Sequence, residues 1–158
     1  MSVLDQLKQL SDARFAQIYA GLEHNGFGPL DGDVAKALKF RPQAIKKLPM
    51  DQRARRARSI LLSTRNAEMT YEVFGAYLLR NQKGLVTGFL DKTGVDHRDG
   101  MIEDLDAVRP DDGKISAAIA ELDTSFAPDD VTLYLAMCTQ HWPDCTAITS
   151  AWKKRAGV

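Results

Sequence analysis

The sequence predicts an all-α protein. Apolar residues recur every third or fourth position along almost the whole chain, no segment sustains the alternation of a half-buried strand, and Gly, Pro and capping residues interrupt the pattern at helix-length intervals. The expected architecture is a compact multi-helix bundle of about seven to nine short and medium helices, forming one domain over residues 1–158.

Leu4, Leu7, Phe15, Ile18, Tyr19 and Leu22 keep one stripe that stops before Asn25, Gly26 and Gly28, with Ser11 either tolerated on it or capping a second helix. Asp31 and Asp33 can accept hydrogen bonds from the free amides of the next helix, which carries Val34, Ala37 and Leu38 until Arg41-Pro42 closes it. A turn around Ile45 and Leu48 follows. Pro49 suits the first position of a helix with Met50, Ala54, Ala57 and Leu61 inside. Three capping-type residues from Ser63 to Asn66 mark a break.

Ala67, Tyr71, Phe74 and Leu78 line the next helix, and Leu85, Val86, Phe89 and Leu90 a shorter one. Gly94 reads as a left-handed stop with Val95 placed against Leu90. An acidic loop runs from Val95 to Arg109. Pro110, Asp111 and Asp112 then announce a helix carrying Ile115, Ala118, Ile119 and Leu122. Pro128 with Asp129 and Asp130 opens another, with Val131, Leu135 and Cys138 inward. Pro143 and Asp144 repeat the device ahead of Cys145, Ile148 and Trp152, and Lys153, Lys154 and Arg155 suit its C-terminal end. Tyr77-Leu78 recurs as Tyr134-Leu135, each followed by a corner and a further helix, so a duplicated solenoid-like arrangement is an alternative to chance matching.

A composition of 44% hydrophobic and 27% charged residues is that of a folded, water-soluble domain rather than a disordered or membrane segment. No run approaches the ~18 apolar residues of a bilayer span. Asp5 and Lys8 stand where a signal peptide would have its apolar core, so a cytoplasmic protein with no membrane partner is expected. The net charge is zero, which excludes a global field drawing the chain onto nucleic acid or lipid. The charges are nonetheless segregated. Between Arg41 and Arg65 eight basic residues stand against Asp51 alone, and between Asp91 and Asp112 eight acidic residues face three basic ones.

Three groups could carry function. Cys138, His141 and Cys145 are the ligand types zinc takes, with His24, His97 or Asp144 available as a fourth; both cysteines also align with core stripes, and reduced core thiols are the expected state. The loop Asp96-His97-Arg98-Asp99-Gly100, with Glu103, Asp104 and Asp106 beyond it, could bind a cation or move a proton. Its spacing does not fit a calcium loop, because Val95 would occupy the first ligand position. The preferred reading is a solvated turn bent at Asp99-Gly100. Arg55 and Arg56 lie opposite the stripe of their helix with Arg53 and Arg58 on its flanks, a face that could grip phosphates.

No dinucleotide, phosphate-loop, nucleophile-elbow or HExxH motif is present, and no cofactor is expected. The run Leu85-Val-Thr-Gly-Phe-Leu-Asp-Lys-Thr-Gly-Val-Asp-His97, then Gly100-Met-Ile-Glu-Asp and Val131-Thr-Leu-Tyr-Leu, resembles small helical bacterial proteins of no assigned function. The resemblance covers the C-terminal half, implies a bacterial, cytoplasmic, helical protein, and transfers no active-site residue.

The expected function is a non-enzymatic interaction module. It would work through the face of Arg53, Arg55, Arg56 and Arg58 or the loop of Asp96, His97, Asp99, Glu103 and Asp104, with a protein partner or self-association, the opposite charges pairing either inside one molecule or between two copies. The alternatives are a nucleic-acid binder using the arginine face, and a metal protein or enzyme using the cysteines with His141 or the His97 loop.

Overall fold

The structure is a computed structural model describing residues 2–24, 28, 30–37, 39 and 42–158, the side chains of Pro42 and Gln43 excepted. The expected stop at Asn25 and Gly26, the inward Leu38 and the closing Arg41 lie outside the described residues. Among the described residues, nine α-helices of 7 to 15 residues and one 3-10 helix make up the regular structure, with no strand. The all-α class is therefore the observed one. The chain folds as two compact units, Val3–Tyr77 and Leu78–Val158, the division falling inside helix α5 (Ala67–Asn81).

In the first unit, α1 (Ser2–Gln9) and α2 (Asp12–His24) are separate helices. Ser11 decides this: its hydroxyl accepts the Arg14 amide at 3.1 Å and satisfies one of the free donors at the start of α2. The buried side of α2 is Phe15, Ile18, Tyr19 and Leu22, and the helix packs against α4 (Met50–Ser63), whose inward positions Ala54 and Ala57 are small enough to let the axes approach. Helix α3 (Asp31–Ala37) buries Val34 and Ala35, whereas Ala37, expected inside, is exposed. Asp31 is not a cap. It is the first helical residue, and its carboxylate accepts the Tyr19 hydroxyl at 2.8 Å. Burial first, then this carboxylate, pushes the Tyr19 phenol well above its ordinary range.

The turn around Ile45 is the 3-10 helix Pro42–Lys47, and Pro49 stands one residue before α4 rather than on its first turn. Leu61 joins Ala54 and Ala57 in the core, with Met50 only half-buried. The break after Ser63 is real: Arg65 takes φ +50°, and the Asn66 side chain accepts the Met69 amide at 2.9 Å to start α5.

In the second unit, α6 (Lys83–Thr93) buries Leu85, Val86, Phe89 and Leu90 as its spacing predicts. Gly94 ends it at φ +75°, and the Val95 amide donates back to the Leu90 carbonyl at 2.9 Å, a Schellman closure that also buries Val95. Helix α7 (Asp112–Ser125) is capped by the Asp111 carboxylate, which accepts the Gly113 amide at 2.9 Å, and buries Ile115, Ala118, Ile119 and Leu122.

Helix α8 (Pro128–His141) starts on its proline as expected, but it is not amphipathic: from Asp130 to Thr139 every residue except Thr132 is buried. It is the central helix of this unit, with α7 and α9 (Thr146–Ala156) packed on it. Such a helix has no wet face to give a stripe. Arg155 near the end of α9 clamps Asp123 of α7 with two bonds of 2.9 and 2.6 Å and reaches Thr132 of α8 at 3.1 Å. Its guanidinium holds the Asp123 carboxyl below the usual range.

Candidate interaction site

Between α6 and α7 the chain makes a long excursion from Gly94 to Asp111 without regular structure. Its ends meet, since the Asp111 amide donates to the Thr93 carbonyl at 2.9 Å, giving the closed base of an Ω-type loop. The expected bend at Asp99-Gly100 is present. Asp99 and Gly100 take φ +54° and +88°, and Arg98 and Met101 exchange backbone bonds of 2.8 and 3.0 Å, the geometry of a type I′ turn.

Four further ties hold the loop in shape. His97 is nearly buried, with 12% of its side chain exposed, and bonds to the Asp91 carboxylate at 2.6 Å through Nε2. Its Nδ1 accepts the Gly100 amide at 3.0 Å, which assigns the proton to Nε2. His97 is thus committed to positioning the turn. Lys83 pairs with Asp99 at 3.1 Å, Trp142 of α8's C-terminal cap donates its indole N–H to the Val108 carbonyl at 2.9 Å, and the Asp104 carboxylate accepts the amides of Asp106 and Ala107. The Gly100 backbone lies so close to α5 and α6 that a Cβ would stand 2.9 Å from Leu79 and 3.2 Å from Val86.

What this frame displays is both acidic and apolar. Met101 is 64% exposed and Leu105 36%, the only large apolar side chains besides Val158 that stand out in water among the described residues. Asp96, Glu103, Asp104 and Asp106 are exposed around them in the sequence. Within the loop lies an open depression of about 330 Å³ with Asp96, His97, Arg98, Glu103 and Asp104 on its walls, Arg98 pairing with Glu103 at 3.2 Å, and Ile102 and Val108 as its apolar part. Sequence reasoning located the acidity but missed the two apolar side chains. Their signal was available: Met101 and Leu105 occur where helical periodicity has faded, so no core stripe claims them.

The arginine face divides. Arg53 is 4% exposed, ion-paired with Glu23 of α2 and donating to the Leu48 carbonyl at 3.1 Å. Arg58 donates to the carbonyls of Leu7, Lys8 and Leu10 at 3.2, 3.0 and 2.9 Å, closing the C-terminal end of α1, and lies 3.6 Å from Asp12 at the start of α2. Both arginines hold helices together. Arg55 and Arg56 remain outside, Arg55 in a loose 3.9 Å pair with Asp51.

The third group is not assembled into a metal centre: among the described residues no three His, Cys, Asp or Glu side chains are placed to hold an ion. Cys138 is fully buried, and burial pushes its thiol up to about 12. Cys145 donates to the Asp112 carboxylate at 3.4 Å, and His141, edge-on to Trp142, is lowered by burial to about 4. Burial suppresses the charged forms of both Cys138, a core thiol, and His141, which is half-buried.

No protein-family model, curated protein or solved structure matches this chain.

Proposed function

We propose that this chain is a non-enzymatic protein-interaction module whose acidic loop, residues 94–111, takes a basic segment of a protein partner. One observation carries the reading: the loop is tied down along its length yet holds Met101 and Leu105 in water among exposed carboxylates. Exposed apolar side chains in an ordered, acid-rimmed patch supply contact area, and the surrounding charge steers and orients a cationic partner. Because the ties fix the loop before binding, little ordering entropy opposes association. No group of the loop is arranged as a nucleophile with a base, and His97 is engaged through both ring nitrogens.

The test is titration of the protein with an amphipathic lysine–leucine peptide, followed by backbone amide shifts. Shifts should be confined to residues 94–111 and their supports, and affinity should fall at least tenfold between about 50 mM and about 300 mM salt. Met101→Ser with Leu105→Ser, and separately Glu103→Lys, should each weaken binding. Binding indifferent to all three substitutions, or absent altogether, would refute the proposal.

A further inference from the structure

Beyond Arg53 and Arg58, which turn inward, the first unit leaves cations outside. Lys46 and Lys47 end the 3-10 helix and are exposed, and Arg55 and Arg56 stand on α4 away from Ala54, Ala57 and Leu61. Lys46, Lys47 and Arg56 have no ion pair among the described residues, and the one acid of the segment, Asp51, is 72% exposed at 3.9 Å from Arg55, too loose and too wet to neutralise it. On the loop side, Asp96 and Asp106 likewise have no ion pair among the described residues.

We infer that the occupant of the acidic loop is a second copy of this chain, docking its Lys46, Lys47, Arg55 and Arg56 segment onto the surface carrying Met101, Leu105, Glu103 and Asp106. This rests on the docking role proposed for the loop and names its partner. Charge complementarity selects that partner. The chain's net charge is zero, so two copies approach without overall repulsion, and the opposed local charges govern how they meet. Each copy offers one loop and one basic segment, so two copies can pair reciprocally about a two-fold axis or continue into a larger ring or chain. The basic aliphatic stems can cover Met101 and Leu105 while their charged ends reach the carboxylates.

Sedimentation velocity of the full chain decides it. At about 50 mM salt the wild type should sediment faster as concentration rises, and at about 500 mM salt it should return to monomer, since screening then acts within a few ångströms. Glu103→Lys with Asp106→Lys leaves the loop's backbone ties untouched and should give a monomer, as should Arg55→Glu with Arg56→Glu. Mixing those two monomeric variants should restore association, since the native loop meets the native basic segment and the reversed loop meets the reversed segment. A wild type that stays monomeric at low salt overturns the inference; if the loop still binds the lysine–leucine peptide, the docking role stands with a different partner, and if it does not, both fall. Self-association surviving Arg55→Glu with Arg56→Glu also overturns it, as does a monomer that instead binds a single-stranded oligonucleotide through Arg55 and Arg56.

Discussion

Replacing Gly100 by alanine asks how much of the loop's shape depends on one absent methyl group. Gly100 is at φ +88°, and the left-handed region costs an L-residue about 1 kcal/mol or somewhat more. The new Cβ would also stand 2.9 Å from Leu79 Cδ2 and 3.2 Å from Val86 Cγ1. The Leu79 methyl is the tip of a half-buried flexible chain and moves aside at little cost. Val86 is 5% exposed and β-branched, so its methyl yields only with its helix, adding about 1 kcal/mol. The total is about 2–3 kcal/mol.

Gly94 supplies the control. It sits at φ +75°, and a Cβ added there would meet nothing within 4 Å, so Gly94→Ala carries the backbone cost alone, about 1 kcal/mol. Both tryptophans, Trp142 and Trp152, are buried in the second unit, so urea unfolding followed by their fluorescence reports on the right part of the chain. Gly100→Ala should lose about 1 kcal/mol more than Gly94→Ala. Equal losses would show that the close approach of the loop to α5 and α6 is not a constraint, and the case for a rigid displayed loop would lose its main support.

Further outcomes follow from the same structure. Burial lowers His141 from 6.5 to about 4, so between those values the unfolded chain takes a proton that the folded one refuses; stability is full above about pH 6.5 and should decline by about 3 kcal/mol on approaching pH 4, a decline that His141→Gln should largely remove in denaturation curves across that range. Arg58→Ala should cost about 2 kcal/mol in unfolding followed by far-ultraviolet circular dichroism, because three carbonyls at the end of α1 lose a charged donor; Arg58→Lys should recover under half of it, since an ammonium has no second nitrogen to face Asp12 while the first bonds the carbonyls. Native protein should leave both thiols unreactive to a disulfide reagent at pH 8, with reaction released by urea, because Cys138 and Cys145 are buried and the Cys138 thiol is pushed up to about 12; immediate stoichiometric reaction would contradict the core placement.

The features readable before any coordinates were those whose physics closes within about one helical turn. Ser11 and Asn66 each satisfy an amide three residues on, Gly94 and Val95 close back onto Leu90, and Asp99-Gly100 turns the chain on itself. Amphipathic helices were legible for the same reason, as in α6 and α7, where one side meets water and leaves a stripe. In helix α8 the stripe of Val131, Leu135 and Cys138 is buried as read, but the burial of its other faces was not legible, because a helix covered on nearly every side shows no contrast.

The candidate site divides along the same line. The acidity of the loop and the basicity of the α4 segment are composition, visible in the string of residues. Which arginines face outward is not. Arg53 turns inward because Glu23 is brought to it from 30 positions away, and Arg58 because the end of α1 arrives from about 50 away. The same holds for the indole of Trp142, which anchors the loop at Val108 across 34 positions. Local sequence determined where helices begin, end and turn, since those bonds join near neighbours whatever the rest of the chain does. Tertiary structure alone decided which charges are consumed inside and which, with Met101 and Leu105, are left in water, because a long side chain's environment is set by segments that its own neighbourhood does not contain.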